Sequence, residues 1–486
     1  MSVNSMKHLT SPVIMMAFVA ALASVGVAQT PTQPTLVELQ KQVVELETKL
    51  KAISDELAKL KQAESPVVDT SKDEKVTNAV AAREVPAATK DAEPQKKNDL
   101  GVDIGSARLT PYGTIFFNAF GNSGGTNNAD VPIFATPTGS GNTSASVRQT
   151  RLGIKLEGAK VGKARLGAVI EGDFFGGFPS VGIGENFGIF RVRLTYARLD
   201  WERTSVTIGQ DWMVFAPVNP TSIATAGNPQ MAAAGNNWAR LPQVRLERKI
   251  GDHLTWQGAL LEPQTGDFAT NAAFSVQPTS GATSRLPFIQ SRIAFANKNW
   301  FGAKKPGSIG LSGHYGRSRV FTGATNARND IESVGFALDW NIPLSERITA
   351  SGEAFAGRNL GGFQAGIFQS YNNDFAYRVG SSLVRSGVRS IGTRGGWMQV
   401  GFTPPALHDR LTLYGSLGID DPNDRDLLSF SGRDWRTRNL VIATNIAYRF
   451  TPQFTLGAEF RRLRTNYFLS GLQISNHVNL GASYSF

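Results

Sequence analysis

The chain has 486 residues, no cysteine, 41% hydrophobic residues and a formal net charge of +11. The missing cysteines exclude disulfides, thiolate metal sites and a cysteine nucleophile. A mean hydropathy of −0.17 excludes a helical-bundle membrane protein. The charge is unevenly spread. From residue 100 onward there are about 38 basic residues against about 26 acidic ones, and about 31 of the basic ones are Arg. Arg keeps its charge and donates in pairs, so it suits carboxylates and phosphates. Nucleic-acid binding would need a basic patch on a recognised binding fold, and none is legible.

Residues 1–28 read as a secretory signal peptide, with Lys7 and His8 ahead of the apolar run Val13–Val27 and small residues before Gln29. The run is too short to span a bilayer comfortably, so cleavage and export are expected. In residues 29–62 a strict heptad follows. Leu36, Leu39, Val43, Leu46, Leu50, Ile53, Leu57 and Leu60 alternate spacings of three and four, with Glu47, Lys49, Glu56 and Lys61 flanking the seam. This predicts a coiled coil that buries its seam against copies of itself. Residues 63–99, rich in Ala, Pro, Lys, Glu and Asp, read as a flexible linker.

From Leu109 the period changes to two. Strands are expected over Tyr112–Phe120, Val147–Gly158, Arg165–Phe175, Arg191–Trp201, Ser205–Phe215, Pro242–Lys249, Leu254–Leu261 and Phe288–Asn297. They continue over Ser308–Gly316, Ile331–Trp340, Ile348–Gly357, Gly395–Phe402, Arg410–Ile419, Leu440–Phe450, Phe454–Arg464 and Gln473–Phe486. About seven short turns and eight longer loops alternate between them. The last segment puts Ile474, Val478, Leu480, Ala482, Tyr484 and Phe486 on one face and Ser475, His477 and Asn479 on the other. Elsewhere charge sits deep in the strands opposite apolar residues, as in Arg151, Lys155 and Glu157 against Leu152, Ile154 and Leu156. A soluble sandwich would bury one such face. A wall with lipid outside and water inside explains the pattern, because charge facing hydrocarbon at mid-depth costs roughly 2–4 kcal/mol. The expected fold is a 16-stranded antiparallel transmembrane β-barrel over residues 100–486, with an even strand count that leaves both ends in the periplasm.

The string SVRQTRLGIKLEG, with LGAVIEGDFFGG, RVRLTYARLDW and TIGQDWMVFAP, spans about residues 147–215. Together with the signal, coiled coil, linker and terminal Phe486 it resembles the DcaP-like outer-membrane porins. The resemblance implies a homotrimer in the outer membrane, with the coiled coil in the periplasm, that favours small anionic solutes such as dicarboxylates. In such a channel an inward loop narrows the lumen and charged side chains set ion preference. The segment Ala216–Asn237 is the expected loop, since its small residues can lie against the wall. The expected lumen-facing cations are Arg151, Arg191, Arg193, Arg240, Arg245 and Arg292, opposed by Glu171, Asp173 and Asp211. Arg436, Arg438, Arg462 and Arg464 lie near loop-side strand ends and are candidates to meet lipid-headgroup phosphates.

No enzyme is expected. The histidines have no metal spacing, and neither HExxH nor GxSxG occurs. No cofactor is implied, and Asp420, Asp421, Asp424 and Asp426 are at most a weak divalent-cation cluster. The reading is a passive diffusion channel for small hydrophilic solutes with an anion preference. The alternative is a barrel anchor whose coiled coil tethers the envelope without significant transport.

Overall fold

The computed structural model describes residues 100–177, 188–265, 278–322, 327–405 and 407–486. The expected signal peptide, coiled coil and linker lie outside the described residues. Sixteen wall strands run antiparallel in chain order. They are β1 (Ala107–Thr126), β2 (in two segments, Ala135–Ser146 and Arg151–Val161), β3 (Ala164–Asp173), β4 (Arg191–Asp200), β5 (Thr204–Trp212), β6 (Arg240–Ile250), β7 (Leu254–Leu261) and β8 (Phe288–Asn297). The second half comprises β9 (Gly307–Thr322), β10 (Ala327–Pro343), β11 (Ile348–Arg358), β12 (Gly392–Phe402), β13 (Leu411–Pro422), β14 (Arg436–Arg449), β15 (Phe454–Tyr467) and β16 (Gly471–Ser485). A three-residue strand, Val102–Ile104, folds back on the start of β1.

Closure is made by β16, which pairs with β15 along its length and with β1 from Thr114↔Ser485 to Asn122↔His477. A closed barrel has no unpaired strand edge, which is what a hydrocarbon environment requires of backbone N–H and C=O groups. The faces of β16 divide by parity. Ser475, His477 and Asn479 are fully buried, while Ile474, Val478, Leu480 and Tyr484 are exposed. The same division recurs around the wall, with Phe336, Leu311, Ile208 and Val244 pointing outward and polar side chains inward.

Several strands run longer or shorter than expected, as Gly307–Thr322 against Ser308–Gly316 and Thr204–Trp212 against Ser205–Phe215, and two connections differ in kind. The stretch before Ala145, expected to be a long loop, is mostly strand: Ala135–Ser146 pairs with the upper half of β1, and Arg151–Val161 with its lower half. Gly, Ser, Asn and Thr dominate this segment, so propensity alone argues against a strand; the exposed edge of β1 imposes it. The connection between β15 and β16 is a tight turn rather than a long loop, with Tyr467 facing Gly471.

Candidate lumen constriction

The segment joining β5 to β6, residues 213–239, touches walls that stand far apart around the ring. The Val214 and Phe215 amides donate to Gln290 Oε1 on β8, each at 3.0 Å, and the Ala216 amide donates to Ser312 Oγ on β9 at 3.1 Å. Thr221 exchanges two 2.8 Å bonds with the Gln399 amide on β12. Gln230 Nε2 donates to Glu459 Oε1 on β15 at 2.9 Å, and Asn237 Nδ2 to Glu353 Oε1 on β11 at 2.7 Å. Gln149, between the two segments of β2, accepts from the Gly227 amide at 2.7 Å and donates to the Ala224 carbonyl at 2.9 Å. A loop that reaches β2, β8, β9, β11, β12 and β15 lies inside the barrel. The inward fold of Ala216–Asn237 is therefore observed.

The chemistry of those anchors follows from the loop's composition. A run such as Ala232–Ala234 brings no polar side chains, so its backbone groups need partners from the wall. Wall glutamines supply a donor and an acceptor on one side chain: Gln149 and Gln399 use both, and Gln290 Oε1 bridges two amides. Close approach also needs bare wall. Ala234 and Gly235 rest against Gly396 on β12 and Gly418 on β13; a Cβ on Gly418 would lie 2.2 Å from the Ala234 carbonyl oxygen. Ala216, Met231 and Ala233 hold positive φ of 51–62°. Such backbone costs about 1–3 kcal/mol per residue and persists where surrounding contacts hold it.

The loop bend at Ala226–Gly227 is the meeting point of four guanidinium groups. Arg151 Nη2 donates to the Ala226 carbonyl at 2.8 Å and Arg191 Nη2 to the Gly227 carbonyl at 2.9 Å. Arg193 Nη1 reaches both oxygens at 3.2–3.3 Å, and Arg240 Nη2 reaches Gly227 O at 3.2 Å. Two carboxylates from β3 stand behind them. Asp173 accepts from Arg191 (3.0 and 2.8 Å) and from Arg193 (2.8 Å), and Glu171 accepts from Arg193 Nε at 3.0 Å and from the Tyr112 hydroxyl at 2.9 Å. Arg151 Nε lies 3.6 Å from Glu171. Arg240 has no ion-pair partner among the described residues; its guanidinium stacks on Trp212 and Trp238, 4.7 and 5.0 Å from the ring centroids. Four cations against two carboxylates leave a surplus of two positive charges. Arg193 is almost wholly buried, whereas the Arg151 and Arg191 side chains keep 24% and 27% of their surface. Arg240 is also only partly buried, so Arg193 alone of the four is closed to a solute.

Six of the nine expected residues thus come together. The others do not join them. Arg245 and Asp211 form their own buried pair at 2.7 Å. Arg292, on a different part of the wall, is held by Asp339 of β10, with Nε 3.0 Å from Oδ2. Such neutralised pairs brace the wall rather than offering free charge. Arg436 turns inward, stacking over Phe134 and donating to the Ile367 carbonyl at 3.0 Å, so it is not placed to meet lipid headgroups. The four aspartates near 420 do not converge: Asp420 binds Thr393, Asp421 pairs with Arg438, Asp426 receives Arg389, and Asp424 is exposed.

Sequence reading missed two further inward segments. Leu360, Phe363 and Ile367, between β11 and β12, are fully buried, with Phe363 packed on Phe215, Phe288 and His314. Ile133 and Phe134, between β1 and β2, are buried beside Trp238 and Ile367. The signal was present, since LGGFQAGIF and DVPIF are apolar runs inside loops, where exposed chain would be polar.

No protein-family model matches the sequence, and no curated protein matches it. Solved structures do. The outer membrane channel DcaP of Acinetobacter baumannii superposes with a TM-score of 0.58 at 18% identity, covering 78% of this chain and 98% of that one. The barrel has the fold of DcaP. An anion-selective porin from Comamonas acidovorans aligns with a TM-score of 0.49 at 14% identity, over 78% of this chain and 100% of that one.

Proposed function

We propose that the chain is an outer-membrane porin, a homotrimeric passive channel for small hydrophilic solutes that prefers anions of the dicarboxylate kind. The observation that carries this reading is the Ala226–Gly227 bend lodged beside Arg151, Arg191, Arg193 and Arg240 with only Glu171 and Asp173 opposing them. An anion passing the bend meets guanidinium forks that can donate to a carboxylate in pairs. The Arg151, Arg191 and Arg193 forks are already fixed beside the bend, because Asp173 and Glu171 hold them there. Those carboxylates also moderate the field, so that a solute binds weakly enough to leave, which conduction requires. The fold shared with DcaP supports the channel architecture, and the charge at the bend supports the anion preference.

Liposome swelling with a size-matched series of neutral, cationic and dicarboxylate solutes tests the proposal. Fastest swelling with the dicarboxylate is expected. Equal rates for all three would remove the anion preference and leave the pore; no swelling with any would remove the porin reading.

A further inference from the structure

The outer face of the barrel carries charge at its loop end, nearly balanced in one place, with three cations against two carboxylates, and far from balanced in another. On β9 and β10, Arg317, Arg319 and Arg328 surround Asp330, and Glu332 lies exposed two residues along. On β12–β15 the outward positions hold Arg394, Arg438, Arg462 and Arg464 against a single carboxylate, Asp421. The strand register puts Arg394 opposite Asp421, and Asp421 accepts from Arg438 Nε at 3.0 Å. Arg464 and Arg462 are successive outward positions on β15, facing Leu440 and Ile442 of β14. Both are exposed and have no ion-pair partner among the described residues.

Toward the turn end the same strands become apolar on that face. Phe460 and Leu456 continue β15, Ile442 and Ile446 continue β14, Leu417 lies on β13, and Met398 and Val400 on β12, all exposed. Arg462 comes eight residues after Phe454, where β15 starts. At about 3.4 Å per residue and a tilt near 40°, it stands roughly 20 Å up the wall, with Arg464 about 5 Å higher. A barrel's apolar band is about 25 Å tall, so the cluster brackets its upper edge. Charge costs little there, and it is the depth of lipid phosphates.

From this placement we infer that the β12–β15 face holds the phosphorylated headgroup of an outer-leaflet lipid, acyl chains lying along the apolar rows beneath. Guanidinium forks bind phosphate oxygens in pairs, and the surplus of three charges matches a headgroup with more than one phosphate. The inference rests on the porin reading for which leaflet the loop end meets.

The test uses the purified full-length protein in neutral detergent, titrated with bisphosphorylated lipid A and with a phosphate-free lipid A of the same chains, bound lipid being counted by native mass spectrometry. Wild type is expected to retain the phosphorylated lipid preferentially. At roughly fivefold per Lys or Arg removed from an anionic lipid surface, the double variant R462Q/R464Q should bind about 25-fold more weakly. D421N, which frees two cations, should bind more tightly. Both variants should conduct like wild type, because the altered residues face away from the lumen. Equal retention of the two lipids, undiminished binding by R462Q/R464Q, or displacement by millimolar inorganic phosphate would overturn the assignment. A double variant that changes the number of copies per particle with its lipid count unaltered would also overturn it, giving the face to a second copy of the chain. Failure of wild type to conduct would count against the porin reading and not against this face.

Discussion

Arg191→Gln isolates the charge that the lumen account depends on. Its side chain keeps more than a quarter of its surface, and Asp173 remains held by Arg193 at 2.8 Å after its removal. The surplus at the loop bend falls from two charges to one. A monovalent ion passing about 6 Å from that guanidinium feels about 0.7 kcal/mol at the dielectric of water. Anions lose that attraction and cations lose the equivalent repulsion, so the difference between them changes by about 1.4 kcal/mol. Screening over a Debye length of about 10 Å at 0.1 M salt reduces this to about 0.8 kcal/mol, or roughly fourfold in the anion-to-cation permeability ratio. Reversal potentials of wild type and Arg191→Gln under one salt gradient give the ratio directly. A ratio that stays constant, or rises, would refute the assignment of Arg191 to the solute path. The effect should shrink at 1 M salt, where screening acts within about 3 Å.

Three further outcomes follow from the geometry. Arg292→Met leaves Asp339 buried without its cation and should cost about 3–5 kcal/mol in a urea titration of the folded barrel, whereas Arg292→Met/Asp339→Leu should recover most of it; ion selectivity should not move in either. Gly418→Ala puts a methyl 2.2 Å from the Ala234 carbonyl oxygen and 2.9 Å from Met231 Sδ, so the constriction loop must shift and single-channel conductance should rise. Unaltered conductance with an intact barrel would mean that the loop does not set the bore. In the outer loops, hydrogen bonds from Ser431, with Arg385 alongside, hold the Asp374 carboxyl below its usual range. A depressed carboxyl stabilises the folded loops above its unfolded value of about 3.9, and the contribution is lost as pH falls below that through the folded value. Amide exchange at Ser431 should therefore quicken below about pH 4, and an Asp374→Asn variant should remove that dependence.

Parity carried most of what was legible in the sequence. Ser475, His477 and Asn479 on one side of β16 and Ile474, Val478 and Leu480 on the other are enough to assign lumen and lipid faces, because a strand flips its side chains every residue. The same rule placed Arg151, Arg191 and Arg193 inside. It could not say which of them would be neutralised, since Asp339 meets Arg292 across β9 and register, not sequence distance, decides that pairing. Arg436 defeated the rule because a register shift between Arg436 and Arg438 breaks the alternation. The strand at Ala135–Ser146 was hidden for a different reason: its residues are turn formers, and only the unpaired upper half of β1 makes them extend. Gln149 was overlooked because a wall glutamine looks like any polar residue until a polar-poor loop arrives needing its amide.

Planar-bilayer recording of the full-length chain across a tenfold KCl gradient reads the sign of the charge that passing ions meet. Discrete conductance steps are expected, with a reversal potential of the sign of chloride selectivity. Steps reversing with the sign of potassium selectivity would contradict the anion preference, because four arginines facing two carboxylates at the inward loop could not then be what passing ions meet.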